Sequence, residues 1–309
     1  MMISEVELNL STAPLTYLAD STDQNTFLRD LLAAKFSLSH SLTVKLKRQH
    51  KIKVNGCVCR TNYLVQAGDL VTIDLEFQEE KENQIIPEAW PIDIIYKDAD
   101  FLVVNKPAGM AIYPAKRNGR GTLANAVTHY WQQAGQKTRF RPINRLDKDT
   151  SGLILIGNSQ FAHQSLFEQL KEHRLKRYYL ALVEGVLAED AGLIDQPIAL
   201  ERAEGRKRMI HPDGQKAVTH YQVLARAANC TWLFLRLETG RTHQIRVHLS
   251  SLGHPICGDV LYGSTSTELS RQALHAGILR FVHPRTKAEV TLYAPLPADL
   301  KAAIYQMGF

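Results

Sequence analysis

Residues 145–152 place two carboxylates in a basic, hydroxyl-containing loop that leads into an apolar strand. The order is Arg145-Leu146-Asp147-Lys148-Asp149-Thr150-Ser151-Gly152, and the apolar run 153–157 follows. Because Asp147 and Asp149 are two residues apart, an extended backbone would place both on one face, as metal binding or glycosidase-type chemistry would use them. The spacing alone favours another interpretation, a capped turn in which Asp149, Thr150 or Ser151 binds nearby backbone amides.

Several common active-site motifs are absent from the sequence. There is no Walker loop, no Gly-x-Gly-x-x-Gly after a strand and no Gly-x-Ser-x-Gly elbow, which argues against a nucleotide cofactor and a serine hydrolase. Cys57 and Cys59 have no second cysteine pair of zinc-site spacing, and His243 and His248 are five residues apart rather than four. We therefore expect no metal and no cofactor.

The charge distribution predicts a polyanionic partner. The 309 residues are 45% hydrophobic and 22% charged, with a net charge of +6, which is typical of a globular protein with a mild basic excess. Residues 31–68 and 116–146 contain lysine and arginine but no acidic residue, which favours a phosphate backbone as partner. With four cysteines, no membrane-length apolar run, and no Lys or Arg in residues 1–20, we expect a cytoplasmic protein without a membrane partner.

The first third of the chain is predicted to form a small domain of two helices and a small sheet. The predicted elements are a helix over 26–36, a helix from Ser39 or Ser41, a strand over 52–54, an Asn-Gly turn at 55–56 and a strand over 70–77. The charged residues 78–84 and Pro87 predict a linker. The resulting division is an extension over 1–24, a small domain over 25–85 and a large domain over 86–309.

The large domain is predicted to contain many short strands and few helices. The predicted strands lie at 101–104, 153–157, 179–183, 218–224 and 232–237, and the predicted helices at 123–130, 160–170 and 243–252. Because helices and strands do not alternate regularly, the pattern argues against a doubly wound parallel sheet. The expected fold class is α+β, with a mixed, mainly antiparallel sheet flanked by helices.

Further motifs accompany the segment 145–152. They lie at 98–107 with Ala108-Gly109, at 179–183 with Gly185, at 240–248, at 253–256 with Gly258-Asp259, and at 274–276. In this order the motifs resemble those of the RluA-type pseudouridine synthases, and the segment 145–152 is similar to the catalytic motif of that family. The two N-terminal helices and the turn at 53–56 are similar to an S4 RNA-binding domain. The resemblance covers residues 25 to about 300.

The resemblance implies a monomeric enzyme that isomerises uridine in structured RNA to pseudouridine without a cofactor. It implies Asp147 as the catalytic carboxylate, Tyr179 against the uracil, and Arg241 paired with Asp147. Arg145 would fill the gap left by a flipped-out base, and Leu274 would pack in the pocket wall. The S4-like domain would contact RNA phosphates through Lys45, Lys47, Arg48 and Lys51.

Some alternatives stay open at this point. Asp147 either attacks C1′ or takes the C2′ proton, and the favoured target is large-subunit ribosomal RNA, with transfer RNA as the other candidate. Asn144 stands where many members of the family have histidine, which bears on the subfamily rather than on activity. One rival is a non-catalytic RNA-binding protein, which would not need a lone acid in a basic loop. The other is a metal-dependent nuclease, which would need further clustered acids.

Overall fold

A four-stranded antiparallel sheet with two helices forms the N-terminal unit. The computed structural model describes residues 13–75, 85–116, 119–201, 205, 207–266 and 269–309. The elements of this unit are β1 (Leu15–Leu18), α1 (Leu28–Phe36), α2 (His40–Arg48), β2 (Ile52–Val54), β3 (Cys57–Val58) and β4 (Leu70–Ile73). Its strands lie in the order β1-β4-β2-β3, and apolar residues of both helices and of the sheet form one buried cluster.

Strand β1 corrects the predicted domain boundary. Because β1 pairs with β4, residues from 15 onward belong to the N-terminal unit and do not form an extension that ends at residue 24. The predicted elements within the unit are otherwise present: Ser39 caps α2, and Asn55 and Gly56 both have positive φ, as the hairpin turn requires. The predicted linker 78–84, and residues 76–77 of the predicted strand, lie outside the described residues.

The large unit is built on a nine-stranded sheet. Its elements are β5 (Asp93–Lys97), β6 (Phe101–Lys106), α3 (Leu123–Gln133), β7 (Ser151–Gly157), α4 (Gln160–Lys171), β8 (Lys176–Glu184), β9 (Ala191–Asp195), β10 (Ile198–Leu200), β11 (Arg208–Ile210), β12 (Val218–Arg226), β13 (Cys230–Leu237), α5 (Gln244–Ser251), β14 (Leu274–Val282), β15 (Glu289–Tyr293) and α6 (Ala298–Gln306). The strand order is β5-β6-β7-β14-β8-β13-β12-β9, with β15 beside β14, while β10 and β11 form a separate pair. Among the described strands, the pairing is antiparallel except between β7 and β14. The predicted fold class is confirmed.

Strand β7 lies at the centre of this unit and is buried on both faces. Ile154 and Ile156 belong to the apolar cluster that includes α3, α5 and α6, whereas Leu153 and Leu155 belong to the cluster that includes α4. The alternation follows from the period of two in a strand. A loop that feeds into β7 is therefore attached to the most enclosed strand of the sheet. In the described parts of the chain, no helix has the length and apolar character needed to cross a membrane.

Gly152 marks the point where the segment 145–152 enters the sheet. Its φ is +117°, and a Cβ at this position would lie 2.3 Å from the carbonyl oxygen of Ala276 in β14. Only glycine fits here, because both the backbone conformation and the close approach of β14 exclude a side chain.

We expect Gly152→Ala to destabilise the protein by about 3 kcal/mol or more, because positive-φ strain adds to overpacking against a backbone that cannot move freely. Gly109→Ala is the matched control: Gly109 has φ +81°, but nothing lies within 4 Å of its Cβ position. That variant should lose about 1–2 kcal/mol from strain alone. Urea unfolding of both variants measures the difference, and equal losses would show that the approach of β14 is not the limiting constraint.

Candidate active site

A cleft of ≈610 Å³ opens beside the entry of the segment 145–152 into β7. Its walls come from this segment, from α4 and β8, from the loop before α5 and from the start of β14. The residues of the predicted site that line it are Arg145, Asp147, Tyr179, Arg241 and Leu274. The structure thus brings together positions that are distant in the chain. The other predicted contacts, Lys45, Lys47, Arg48 and Lys51, lie in the N-terminal unit.

Asp147 begins a tight turn that leads into β7. The Thr150 N–H donates to the Asp147 carbonyl at 3.1 Å and closes the turn. Before the turn, the buried amide of Asn144 donates to the Leu153 carbonyl at 3.0 Å and accepts from the Leu155 N–H at 2.9 Å. Asn144 therefore fastens the segment to β7 with both ends of its amide, which is a structural task.

Lys106, at the end of β6, holds the turn from the other side. Its side chain is fully buried, and Nζ donates to three carbonyls, those of Pro107, Met110 and Lys148, at 2.8, 2.9 and 2.9 Å. Three acceptors match the three protons of an ammonium group. Burial nonetheless lowers the pKa of Lys106 to about 7. Because Lys148 directly follows Asp147, this contact fixes the backbone of the site.

Arg246 of α5 is the charged partner of Asp147. Its Nη1 donates to Asp147 Oδ2 at 3.0 Å, while Nε and Nη2 donate to the two oxygens of Asp259 at 2.7 and 2.9 Å. Burial alone would lower the pKa of Arg246, but the bonds to Asp259 and the nearby Asp147 outweigh it and raise that pKa. A guanidinium that bridges two carboxylates fixes one oxygen of Asp147 in place.

The predicted ion pair between Arg241 and Asp147 is wrong. Arg241 is exposed at the rim of the cleft, where its Nε donates to the Lys216 carbonyl at 3.0 Å. It lies in the loop before α5, whereas Arg246 lies on the helix between the buried residues Ile245 and Val247. A charged side chain among buried neighbours signals a partnered group, and this signal was available in the sequence.

Tyr179 and Leu274 form an enclosed wall of the cleft. Both are 4% exposed, Tyr179 on β8 and Leu274 at the start of the neighbouring strand β14. Burial is the main reason that the pKa of the Tyr179 hydroxyl is raised, so this group stays a neutral phenol at physiological pH. Two positions earlier, the buried Arg177 also lines the cleft and donates to the carbonyls of Glu238 and Thr239 at 3.3 and 3.1 Å.

His243 is a second neighbour of Asp147 that the sequence did not single out for this role. It adopts a left-handed conformation with φ +57°, and its Nε2 lies 3.8 Å from Asp147 Oδ2. Its Nδ1 is hydrogen-bonded to the Tyr262 hydroxyl at 2.9 Å, and that hydroxyl accepts from the Arg208 N–H at 2.9 Å. Burial lowers the pKa of His243, so the imidazole is neutral at pH 7. A strained backbone is typical of a constrained functional site.

The second acidic residue of the segment, Asp149, is not among the residues that line the cleft. Arg246 and His243 approach Asp147, whereas the backbone carbonyl of Asp149 accepts from Arg271 Nη1 at 3.1 Å. Among the described residues, no group of three side chains is placed to hold a metal ion. The arrangement supplies one partly exposed carboxylate, a phenol and several cationic groups.

Comparisons with known proteins point to a single family. A family model described as RNA pseudouridylate synthase matches residues 100–251. The uncharacterised RNA pseudouridine synthase YhcT of Bacillus subtilis strain 168 is 41% identical over 296 residues, which is 95% of this chain and 97% of that protein. The chain belongs to the RNA pseudouridine synthase family. It is therefore an isomerase that modifies RNA, and the predicted family is confirmed.

Two further relatives extend the likeness. The ribosomal large subunit pseudouridine synthase D of Escherichia coli strain K12 is 37% identical over 272 residues, which is 83% of this chain and 82% of that protein. The solved structure of human RNA pseudouridylate synthase domain containing 1 is similar with a TM-score of 0.56 and 31% identity, covering 67% of this chain and 84% of that one. The likeness to a solved structure therefore extends over two thirds of the chain.

We expect Arg246→Lys to lower pseudouridine formation by at least about 100-fold, because the single nitrogen of lysine cannot reproduce the forked pair of bonds to Asp259 together with the bond to Asp147, and a broken buried pair costs about 3–5 kcal/mol. Arg241→Lys, the matched control, leaves that bridge intact and should lose less than about 10-fold. Single-turnover assays give the rates, and circular dichroism verifies folding. A larger loss for Arg241→Lys would restore the original assignment.

The low pKa of Lys106 makes stability depend on pH above neutrality. An unfolded lysine keeps its proton up to about pH 10.4, whereas the folded one loses it near pH 7. The free energy of unfolding therefore rises from pH 7 by up to about 1.4 kcal/mol per pH unit, and this contribution is lost as the pH falls towards 7. The stability difference between wild type and Lys106→Met should grow from pH 7 to 9 in favour of wild type.

Urea unfolding at several pH values tests this expectation. Lys97→Met is the control for the loss of a lysine side chain as such, because Lys97 is exposed at the end of β5. A Lys106→Met difference that does not change between pH 7 and 9 would contradict the lowered pKa.

Proposed function

We propose that this enzyme converts specific uridines of structured RNA to pseudouridine in the ≈610 Å³ cleft, with Asp147 as the reacting carboxylate. The position of Asp147 carries the proposal. Its side chain is 24% exposed, and both Arg246 and His243 approach its Oδ2 atom. Among the described residues, Oδ1 has no hydrogen-bond partner. A carboxylate with one oxygen held and the other open is suited to react with a sugar.

The proposed reaction is an isomerisation with no net loss of atoms. The N1–C1′ bond breaks, the uracil turns, C5 bonds to C1′, and the proton on C5 is replaced by one on N1. Asp147 either attacks C1′, which gives a covalent sugar ester, or takes the C2′ proton, which gives a glycal and returns the proton later. Both routes begin from a carboxylate, and the Arg246 guanidinium holds one oxygen of Asp147 at 3.0 Å.

Tyr179 is proposed to lie against the uracil. Its buried ring supplies apolar surface beside Asp147, and Leu274 extends that surface. Because burial raises the pKa of the Tyr179 hydroxyl, the phenolate form is scarce at neutral pH. Tyr179 therefore acts by packing and hydrogen bonding while the C5 proton leaves, rather than as a free base.

Arg145 is proposed to take the place of the flipped-out base. It is exposed, lines the cleft and precedes Asp147 by two residues. A uracil stacked in an RNA helix is out of reach of Asp147, and freeing it costs about a few kcal/mol. A guanidinium plane that fills the gap and stacks on neighbouring bases would offset part of that cost.

The N-terminal unit is proposed to be an S4-like RNA-binding domain. Three of the predicted contacts, Lys45, Lys47 and Arg48, are exposed on α2. Lys51 forms an ion pair with Asp74, so we assign it a smaller share of the phosphate contacts. Such contacts hold RNA by its shape and charge and leave the choice of base to the cleft.

The proposed target is large-subunit ribosomal RNA. Support comes from the 37% identical Escherichia coli protein, which is named for the ribosomal large subunit. Transfer RNA is the alternative. Mapping pseudouridines in the ribosomal and transfer RNA of a strain that lacks this gene distinguishes the two, since the missing site identifies the substrate.

We expect Asp147→Asn to bind RNA with an affinity close to that of wild type and to form no pseudouridine, because an amide oxygen neither attacks C1′ nor takes a proton effectively. Asp149→Asn is the control, because Asp149 touches neither Arg246 nor His243, and it should retain most of the activity. Single-turnover product formation and a filter-binding titration measure the two properties. Product from a well-folded Asp147→Ala protein would overturn the proposed role.

A further inference from the structure

Helix α4 belongs to the large unit, yet it completes the core of the N-terminal unit. Phe161 in its first turn is 2% exposed and lies in the apolar cluster formed by α1, α2 and the N-terminal sheet. An aromatic side chain fully removed from water in this way indicates a packed contact between the two units. The N-terminal unit therefore packs against the large unit at a defined position.

Hydrogen bonds fix the orientation of the N-terminal unit at this contact. The Gln164 side chain accepts from the Ser39 N–H at 3.1 Å and donates to the Ser37 carbonyl at 2.9 Å. These two residues form the connection between α1 and α2, where Ser37 has φ +54°. Nearby, Lys45 Nζ donates to Gln160 Oε1 at 2.7 Å. Because the Gln164 amide binds a backbone N–H and a backbone carbonyl at the same time, it fixes the orientation of the α1–α2 connection as well as its distance from α4.

The same helix also lines the cleft. Phe167, Leu170 and Lys171, in its last turns, form part of the cleft wall. Gln160, Gln164, Phe167 and Lys171 follow each other at spacings of three or four and so share one side of the helix. From Gln160 to Lys171 the helix rises by about 16 Å. Helix α4 thus connects the N-terminal end of α2 to the rim of the cleft.

We propose that the docking of the N-terminal unit on α4, through Phe161 and Gln164, determines which uridine enters the cleft. This inference rests on the proposed function. A flexible tether would raise the local concentration of every uridine within its reach. A docked unit fixes the position of the RNA held by α2 and so admits uridines at one distance and in one direction. Phe161 and Gln164 are then specificity-determining positioning residues, although neither touches the substrate.

The geometry also indicates the form of the RNA. The basic face of α2 suits the phosphates of a helical stem, while the cleft needs an unpaired base. Lys171, whose Nζ lies 4.9 Å from the Phe167 ring centre, is placed to contact a phosphate at the rim between them. The favoured substrate is therefore a stem–loop with an unpaired target uridine, in which the stem phosphates lie on α2 and the uridine lies in the cleft.

The experiment compares two RNAs. One is a stem–loop that carries the mapped target uridine, and the other differs only in that the uridine is moved along the loop. Wild type should prefer the first. The selectivity is kcat/KM for the first RNA divided by kcat/KM for the second. We expect this ratio to fall at least about 10-fold in the Phe161→Ala, Gln164→Ala and double variants. The kcat at saturating concentrations of the first RNA should stay within about 3-fold of the wild-type value. That split separates a change in selection from damage to the cleft.

Two controls and two opposite outcomes complete the design. Ser165→Ala, on the same helix, should keep the wild-type ratio, and Phe161→Leu, which retains an apolar side chain, should keep more of it than Phe161→Ala. A double variant with an unchanged ratio and normal kcat would overturn the docking inference and leave the proposed function standing. Failure of wild type to form pseudouridine in either RNA would instead overturn the proposed function.

Discussion

The buried guanidinium of Arg246 is the interaction on which the rest of the site depends. Its side chain is 9% exposed and that of Asp259 is 1% exposed, so the pair would be costly without mutual compensation. Asp259 neutralises the cation, and the remaining Nη1 is left to hold Asp147. The arrangement is asymmetric: Asp259 is the permanent partner, and Asp147 is held by one bond and stays partly exposed. One oxygen of Asp147 is thereby held in place while its side chain stays partly exposed to the cleft.

Three separate structural features hold the backbone that carries Asp147. Asn144 fastens the approach to β7, Lys106 binds the carbonyl of Lys148 within the turn, and Gly152 lets β14 come close enough to close the exit. Each acts on backbone rather than on the carboxylate. Because these contacts hold the backbone, they keep the Asp147 side chain within a narrow range of positions and leave it open to the cleft.

The sequence predicted the elements with strong periodicity and the residues with a distinctive motif. Helices α1 to α5 and strands β6, β7, β8, β12 and β13 were found because their apolar spacing reflects which face is buried, whereas β14, between β7 and β8, was not predicted. Asp147, Tyr179 and Leu274, which were named from their motifs, line the cleft. The error at Arg241 has a physical origin. Two arginines five positions apart are chemically alike in a sequence, but Arg241 lies in the loop before α5 and Arg246 lies on the helix, so their side chains take different directions.

The features that were missed depend on contacts between distant segments. Strand β1 has only four residues and is stabilised by pairing with β4, so local pattern gave no sign of it. The contact of His243 with Tyr262 and the burial of Lys106 likewise appear only when separate loops meet. Periodicity reports the burial of an element, and it carries no information on which polar groups of two elements will face each other.

The parallel pairing of β7 with β14 affects the order in which the two units fold during synthesis. Ser151 and His275 are hydrogen-bonded at 2.9 Å although they are 124 positions apart in the chain. The two strands that carry Thr150 and Leu274 into the cleft wall therefore pair only after most of the chain exists. Apart from Phe161, the core of the N-terminal unit lies within residues 19–75. Domains fold as units during synthesis, and distant pairings form slowly. We therefore expect a chain on the ribosome to acquire the fold of its N-terminal unit first and to complete the cleft last.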